Sequence, residues 1–199
     1  MNDFVEILNE YREKVFNELI KYIPENYDKS FVEILSEYPL RKGKYLRPTL
    51  LILTNEMFGG NLEKALNTAV AMQLSEEWIL IHDDIEDNSN MRRNKPCLHR
   101  IYGVPAALNA GDALHIIMWN ALIKNREILG ENLTFKIMEI FYDTLLKTAE
   151  GQHLEIKWTK EVKENFSDED YYKIVERKTC LYSITMPMIL GAVIANVDE

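Results

Sequence analysis

The 199-residue sequence is poor in three residue types, with two cysteines, six prolines and eight glycines. Cys97 and Cys180 are far apart and lack the spacing of a zinc site or a disulfide framework, so a reducing, cytoplasmic setting is expected. The low proline and glycine content excludes a collagen-like or linker-dominated chain. With 47% hydrophobic residues, the sequence predicts one domain with a sizeable core over residues 1–199.

Basic residues are also scarce relative to acidic ones, since 23 lysines and arginines face 32 acidic residues for a formal net charge of −9. We therefore expect no nucleic-acid partner, because such domains normally have a basic excess on one face. An anionic ligand would need a local basic cluster or metal ions. Residues 179–197 carry no charge, but their polar and helix-perturbing members favour a buried helix over a membrane span.

Apolar residues recur at helical spacing along almost the whole chain. Between Phe4 and Ile20 they lie mostly three or four positions apart, which predicts an amphipathic first helix that ends before Pro24. No segment has sustained strand alternation, so the sequence predicts an all-α bundle. Further helices are predicted at 31–38, from the basic turn 41–47 to about 59, and at 62–87, 105–129, 132–157 and 168–195, the last capped by Ser167.

The most specific cluster is acidic and follows the apolar residues 78–81. Asp83 and Asp87 are four residues apart, so they project from the same helix face with Cβ atoms roughly 6 Å apart. Carboxylates at a helix C-terminus oppose the helix dipole and need a counter-cation. Mg²⁺ is bound through one or two carboxylates with water and phosphate oxygens. We therefore favour a diphosphate-binding Mg²⁺ site at Asp83, Asp84 and Asp87 over a solvated helix end.

Two basic segments bracket this acidic cluster. Lys44 and Arg47 precede it, and Arg92, Arg93 and Lys95 follow it. Each segment alone is typical of an exposed surface. Together with a metal-type motif they match the needs of a phosphate ester, because metal ions neutralise one group and guanidinium groups hold another.

The ordered motifs resemble those of the trans-type isoprenyl diphosphate synthases, the family of farnesyl and geranylgeranyl diphosphate synthases. The resemblance implies an isoprenoid-synthase-type helical bundle, Mg²⁺ as cofactor and association in dimers. The matching segments are GKYLRP at 43–48, FGG at 58–60, DDIED at 83–87, RRNKP at 92–96, NAGDAL at 109–114, EGQ at 150–152, RKT at 177–179 and LGA at 190–192.

The resemblance also implies a head-to-tail prenyl transfer between an allylic diphosphate and isopentenyl diphosphate. Metal ions and cationic side chains would stabilise the departing diphosphate, and the isopentenyl double bond would attack the carbocation. Loss of a proton would complete the five-carbon extension. The implied residues are Arg92 and Lys178 on the allylic diphosphate, Lys44, Arg47 and Arg93 on isopentenyl diphosphate, and Gln152 and Thr179 beside the carbocation.

Product length is implied by the residues five and four positions before Asp83, which form the floor of the tail pocket in this family. Here they are Trp78 and Ile79. Because tryptophan fills that space, we expect a short product within the C10–C20 class, with C15 favoured. The alternative is that Trp78 is ordinary packing core.

Three departures from the family pattern bear on activity. Glu76 stands seven positions before Asp83, where the family has a His or Gln that contacts isopentenyl diphosphate, and its charge would repel that ligand. Asn94 replaces a turn glycine, which is mild because Asn tolerates left-handed backbone. The family's second aspartate-rich motif is not reached, so we expect a C-terminally shortened domain with exposed apolar surface and a homodimeric or hetero-oligomeric partner.

Two other functions are left open. A non-catalytic subunit that binds prenyl diphosphates or a partner chain would carry the same motifs, and Glu76 favours it. A di-iron carboxylate protein is more remote. Glu150 with His153, and Asp112 with His115, have the required spacing, but the basic segments would then have no role.

Overall fold

The computed structural model describes residues 4–160 and 165–196, which are almost entirely helical. The prediction of an all-α fold is confirmed, and the helix predicted at 105–129 is divided at Asn125. The elements are α1 (Phe4–Ile20), α2 (Lys29–Leu40), α3 (Leu46–Met57), α4 (Leu62–Glu86), β1 (Met91–Arg92), β2 (Lys95–Pro96), α5 (Leu98–Tyr102), α6 (Val104–Lys124), α7 (Arg126–Leu129), α8 (Glu131–Lys160), α9 (Asp168–Ile174), a π-helix (Val175–Thr185) and α10 (Met186–Ile194).

Polar side chains cap the N-terminal ends of two helices, α4 and α9. The Asn61 side chain accepts a hydrogen bond of 3.0 Å from the backbone N–H of Lys64 at the start of α4. Ser167 and Asp170 form a reciprocal capping box at the start of α9, which confirms Ser167 as the N-cap. These caps satisfy N–H groups that have no partner within the helix.

Helix α4 lies at the centre of the bundle, where it packs chiefly on α6 and α3. Every residue from 68 to 75 is buried, so this middle section of α4 is enclosed on all sides. Gly111 of α6 permits part of this close packing, because a Cβ there would overlap the His82 imidazole. The last turn of α4 carries the acidic residues, of which Asp84 stays buried while Asp83 is partly exposed and Glu86 is exposed.

The last helical stretch, 168–194, is continuous, but its middle section is not an α-helix. Residues Val175–Thr185 are π-helical, so the prediction of one regular helix over 168–195 is wrong there. The wider π turn changes which side chains face the neighbouring helix. Gly151 of α8 lets the two backbones approach, because a Cβ on it would lie 2.6 Å from the Lys178 backbone nitrogen.

Helix α10 buries only one of its faces. Its inner face packs on α3, where a Cβ at Gly191 would overlap the Leu51 carbonyl oxygen. On the outer side Met188 and Ile189 are 45% and 39% exposed. Full burial of 179–195 is therefore not observed, and the expected exposed apolar surface is present. No helix in the described residues is long and apolar enough to span a membrane.

The basic segment after α4 forms a hairpin that the sequence did not predict. β1 and β2 pair in antiparallel register, Met91 with Pro96, and no other strand is found in the described parts of the chain. Arg93 and Asn94 make the turn with φ values of 53° and 62°. A ladder two residues long is too short to leave an alternating pattern in the sequence.

Candidate active site

One cavity of about 460 Å³ lies between the end of α4, the middle of α8 and the π-helix. Its lining includes charged side chains, among them Arg47, Asp83 and Lys178, and aliphatic and aromatic ones, among them Leu80 and Ile156. A ligand with both a charged group and an apolar group would match this mixed lining. Of the residues predicted from the sequence, the cavity brings together Arg47, Trp78, Ile79, Asp83, Gln152, Lys178 and Thr179.

Asp83 meets two of the cations predicted to hold a diphosphate. Its carboxylate lies 3.5 Å from Lys178 Nζ and 3.4 Å from Arg92 Nη2. Lys178 also forms an ion pair with Glu155 of α8. Burial lowers the pKa of Lys178, but the Glu155 and Asp83 carboxylates outweigh it and raise that pKa above its usual value. Lys178 is therefore held as a cation beside Asp83.

Asp87 lies one turn beyond Asp83, and its negative charge is less well balanced by nearby cations. Burial first, and then the charge of Asp83, raise the pKa of Asp87 above its usual value, and Lys178 opposes this only in part. Glu155 and Glu86 add further repulsion. A divalent cation would relieve this concentration of carboxylates, so Asp83 and Asp87 fit a Mg²⁺ ion.

The donor set is small, which bears on the kind of metal it would take. In the described residues no group of three or more His, Cys, Asp or Glu side chains is arranged to hold a metal ion. Two carboxylates with water and phosphate oxygens are the set that Mg²⁺ prefers. The di-iron hypothesis finds no support in this geometry, since Glu150 pairs with Arg177 at 2.6 Å.

Asp84 lies elsewhere than predicted. Its side chain is fully buried and accepts hydrogen bonds of 2.6 Å from the Tyr38 hydroxyl and 2.6 Å from Arg92 Nη2. Successive residues on an α-helix point about 100° apart, so Asp84 faces the core while Asp83 faces the cavity. The prediction that Asp84 is a metal ligand therefore disagrees with the structure. Arg92 is largely engaged with Asp84, because its Nε also donates to that carboxylate at 3.1 Å.

Arg93 is likewise paired with a residue that the sequence did not single out. Its two terminal nitrogens donate to the carboxylate of Glu77 at 2.8 and 3.1 Å, and Nη1 also donates to the Tyr38 carbonyl oxygen at 2.9 Å. Glu77 is fully buried. One feature of the sequence could have indicated a role for Glu77. It forms an acidic pair with Glu76 directly before the apolar residues 78–81.

Arg47 borders the cavity and is held from three sides. It lies 3.0 Å from Glu76, donates to Ser183 Oγ at 2.8 Å, and stacks over the Tyr182 ring at 4.6 Å. Glu76, predicted as a repulsive departure, is therefore paired with a cation. Lys44, the third residue predicted for isopentenyl diphosphate, is exposed.

Trp78 borders the cavity with an aromatic stack behind it. Its ring lies 4.7 Å from the His115 ring, and Trp119 Nε1 donates to His115 Nε2 at 2.9 Å. Burial lowers the pKa of His115, which favours the neutral ring that accepts this bond. His115 thus packs against Trp78 and accepts a hydrogen bond from Trp119.

Three polar atoms beside the cavity have no hydrogen-bond partner among the described residues. They are Arg47 Nε, Trp78 Nε1 and Gln152 Oε1, and all three are buried. The Gln152 amide is otherwise oriented by Glu86, which accepts from its Nε2 at 2.8 Å. Buried polar groups are normally satisfied, so these atoms mark places for a polar ligand or water.

Comparison with known proteins gives the family. The polyprenyl synthetase model matches residues 28–199. The chain belongs to the polyprenyl synthetase family. It is 30% identical over 199 residues to the geranylgeranyl diphosphate synthase of Sulfolobus acidocaldarius, covering 100% of this chain and 58% of that protein. It is 35% identical over 159 residues to the geranylgeranyl diphosphate synthase of Methanosarcina mazei, covering 79% of this chain and 47% of that protein.

A solved structure agrees with the fold. The geranylgeranyl pyrophosphate synthetase of Pyrococcus horikoshii is 29% identical and superposes with a TM-score of 0.87, over 98% of this chain and 59% of that one. The predicted isoprenoid-synthase-type bundle is therefore confirmed. The chain spans about half to three fifths of the length of the relatives it matches.

The different surroundings of Asp83 and Asp84 predict different effects on stability. Asp84→Asn removes a charge from a buried network, so it should lower the free energy of unfolding by about 3 kcal/mol. Asp83→Asn removes a partly exposed charge with long ion pairs, and the loss should stay below about 1 kcal/mol. Urea unfolding followed by circular dichroism measures both, and equal losses would contradict the assignment.

Proposed function

We propose that this polyprenyl synthetase family member is a short-chain trans-prenyltransferase that condenses an allylic diphosphate with isopentenyl diphosphate. The carrying observation is that Asp83, Lys178 and Trp78 line the same cavity. Its relatives include proteins named geranylgeranyl, geranylfarnesyl and short-chain isoprenyl diphosphate synthases. A cytoplasmic location stays a prediction.

At the charged end, Asp83 and Asp87 would hold Mg²⁺ and thereby the allylic diphosphate. When bound, Mg²⁺ neutralises charge that develops on the leaving oxygen. Lys178 supplies a fixed positive charge 3.5 Å from Asp83, close enough to contact the same diphosphate. Because this cation is already oriented by Glu155, little reorganisation is needed as the carbon–oxygen bond breaks.

Next to that end, the chain's own residues protect the carbocation. Gln152 and Thr179 border the cavity beside Lys178, with amide and hydroxyl dipoles. The aliphatic and aromatic lining excludes water, which would otherwise trap the cation. The isopentenyl double bond attacks the allylic carbon, a carbon–carbon bond forms, and a proton passes to the released diphosphate.

The second diphosphate would bind at the other basic cluster, formed by Lys44, Arg47 and Arg93. Arg47 supports this role because it borders the same cavity as Asp83 and has an unpaired Nε. A guanidinium group presents a planar fork of donors that suits phosphate oxygens.

A non-catalytic subunit that binds a prenyl diphosphate is the alternative. It is favoured by the ion pairs of Arg47 with Glu76 and of Arg93 with Glu77, which neutralise two of the three cations meant for isopentenyl diphosphate. Binding without turnover would support this alternative.

Incubation of the purified chain with Mg²⁺, isopentenyl diphosphate and dimethylallyl or geranyl diphosphate should yield a longer prenyl diphosphate, detected by mass spectrometry. Asp83→Asn should reduce turnover by at least about a hundredfold, because stabilisation of the leaving group is lost. Asp143→Asn removes the same charge from the exposed side of α8 and should leave turnover unchanged. Turnover that persists in Asp83→Asn, or in EDTA, would reject the mechanism.

Product length should depend on two layers of side chains. Trp78→Ala alone leaves His115 and Trp119 behind the opening, so we expect only a small increase in length. The double variant Trp78→Ala with His115→Ala should make the longest product, because neither of the two stacked rings remains. His115→Ala alone is the matched control and should give the wild-type product. Equal products from all four proteins would mean that this end of the cavity does not limit the chain.

Association in pairs is part of the proposal. Helices α6 and α8 keep apolar side chains exposed at helical spacing, Ile116 and Tyr142 among them at 69% and 63%. Light scattering should give twice the chain mass, and Ile116→Glu should reduce it. Met57→Glu changes a side chain at the end of α3 that is still more exposed, at 80%, and it should leave the mass unchanged. A wild-type monomer would instead favour a different chain as the partner.

A further inference from the structure

The carboxylate of Glu76 lies between the two arginines proposed for the second diphosphate. One of its oxygens is 3.0 Å from Arg47 Nη1, and the other is 3.9 Å from Arg93 Nη2. Each oxygen thus faces a different guanidinium group. A phosphate bound by both arginines would have to place its oxygens in the same gap.

Neither arginine depends on Glu76 for its position. Arg93 is held by the two oxygens of the buried Glu77 carboxylate and by the Tyr38 carbonyl oxygen. Arg47 is held by Ser183 Oγ and by the face of the Tyr182 ring. The structural need for a carboxylate at position 76 is therefore small.

The charge of Glu76 matters more for anion binding than for the positions of the two arginines. Glu76 and Glu77 give each of the two guanidinium groups a carboxylate partner, so Arg47 and Arg93 offer an incoming anion less positive charge than two unpaired arginines would. Side chains of both Arg47 and Glu76 are largely shielded from water, at 25% and 15% exposure, so screening of their attraction is incomplete. An incoming anion must displace this carboxylate before it can use both arginines.

We propose that Glu76 is a specificity-determining residue that occupies the place of a ligand phosphate between Arg47 and Arg93 and weakens binding of the second diphosphate. This inference rests on the proposed function, because it takes that pair of arginines as a diphosphate site. The ligand class is a pyrophosphate group that binds to guanidinium donors without a metal ion.

Titration calorimetry with inorganic pyrophosphate in EDTA tests the inference, since the metal-dependent end of the cavity then contributes nothing. Glu76→Gln keeps the shape of the side chain and removes its charge, so it should bind pyrophosphate about tenfold more tightly than the wild type. The gain should shrink as salt is added, because it is electrostatic.

Two further variants separate competition from a general charge effect. Glu63→Gln changes the net charge equally on the exposed first turn of α4 and should bind like the wild type. In an Arg47→Gln background the Glu76→Gln gain should be smaller than in the wild type, since only Arg93 then borders the gap that Glu76 occupies. Circular dichroism checks folding, and Glu76→Met serves as the neutral variant if Glu76→Gln does not fold.

Unchanged affinity in Glu76→Gln, or an equal gain in Glu63→Gln, would overturn the inference. If the wild type still binds pyrophosphate when Mg²⁺ is added, the proposed function survives that result. If neither protein binds pyrophosphate with or without Mg²⁺, the inference and the diphosphate-binding function both fail.

Discussion

The end of α4 depends on one buried carboxylate. Asp84 has no access to solvent, and a charge in that position is tolerated only because the Tyr38 hydroxyl and the Arg92 guanidinium satisfy it. The same contacts tie α4 to α2 and to the hairpin. Once Asp84 is directed inward, the helical period directs Asp83 and Asp87 to a different face. The position of the acidic end of the cavity therefore follows from an interaction outside it.

The electrostatics of the candidate active site depend on individual ion pairs and not on the net charge of the chain. The chain carries a formal charge of −9, yet each predicted arginine of the site has a carboxylate partner within 3.0 Å. Half-buried ions need such partners, because desolvation is unfavourable without them. Among the described residues Asp87 has no such arginine partner, and burial first and then the charge of Asp83 raise its pKa above the usual value. We therefore propose cation binding at Asp83 and Asp87, and competition between Glu76 and an anion at Arg47.

The local sequence pattern was enough to predict most of the helices, because apolar spacing of three and four reflects burial of one helix face. The prediction failed where the backbone geometry depends on a contact with a distant segment. The π-helix at Val175–Thr185 lies against Gly151, and the hairpin is held by Arg41, which donates to the Pro96 carbonyl oxygen at 2.9 Å. Glu77 was missed for the same reason, since its role depends on a guanidinium group brought from another segment.

The sequence itself determined every feature that depends only on residue type and spacing. These features are the order of helices, the acidic cluster at Asp83, the flanking basic segments and the family resemblance. Only the tertiary structure decided which charges remain for a ligand. Tyr38 and Asp84 are 46 residues apart and Arg47 and Ser183 are 136 apart, so no local pattern could pair them. Folding brings these side chains into contact, and desolvation then determines that Asp84 stabilises the core while Asp83 faces the cavity.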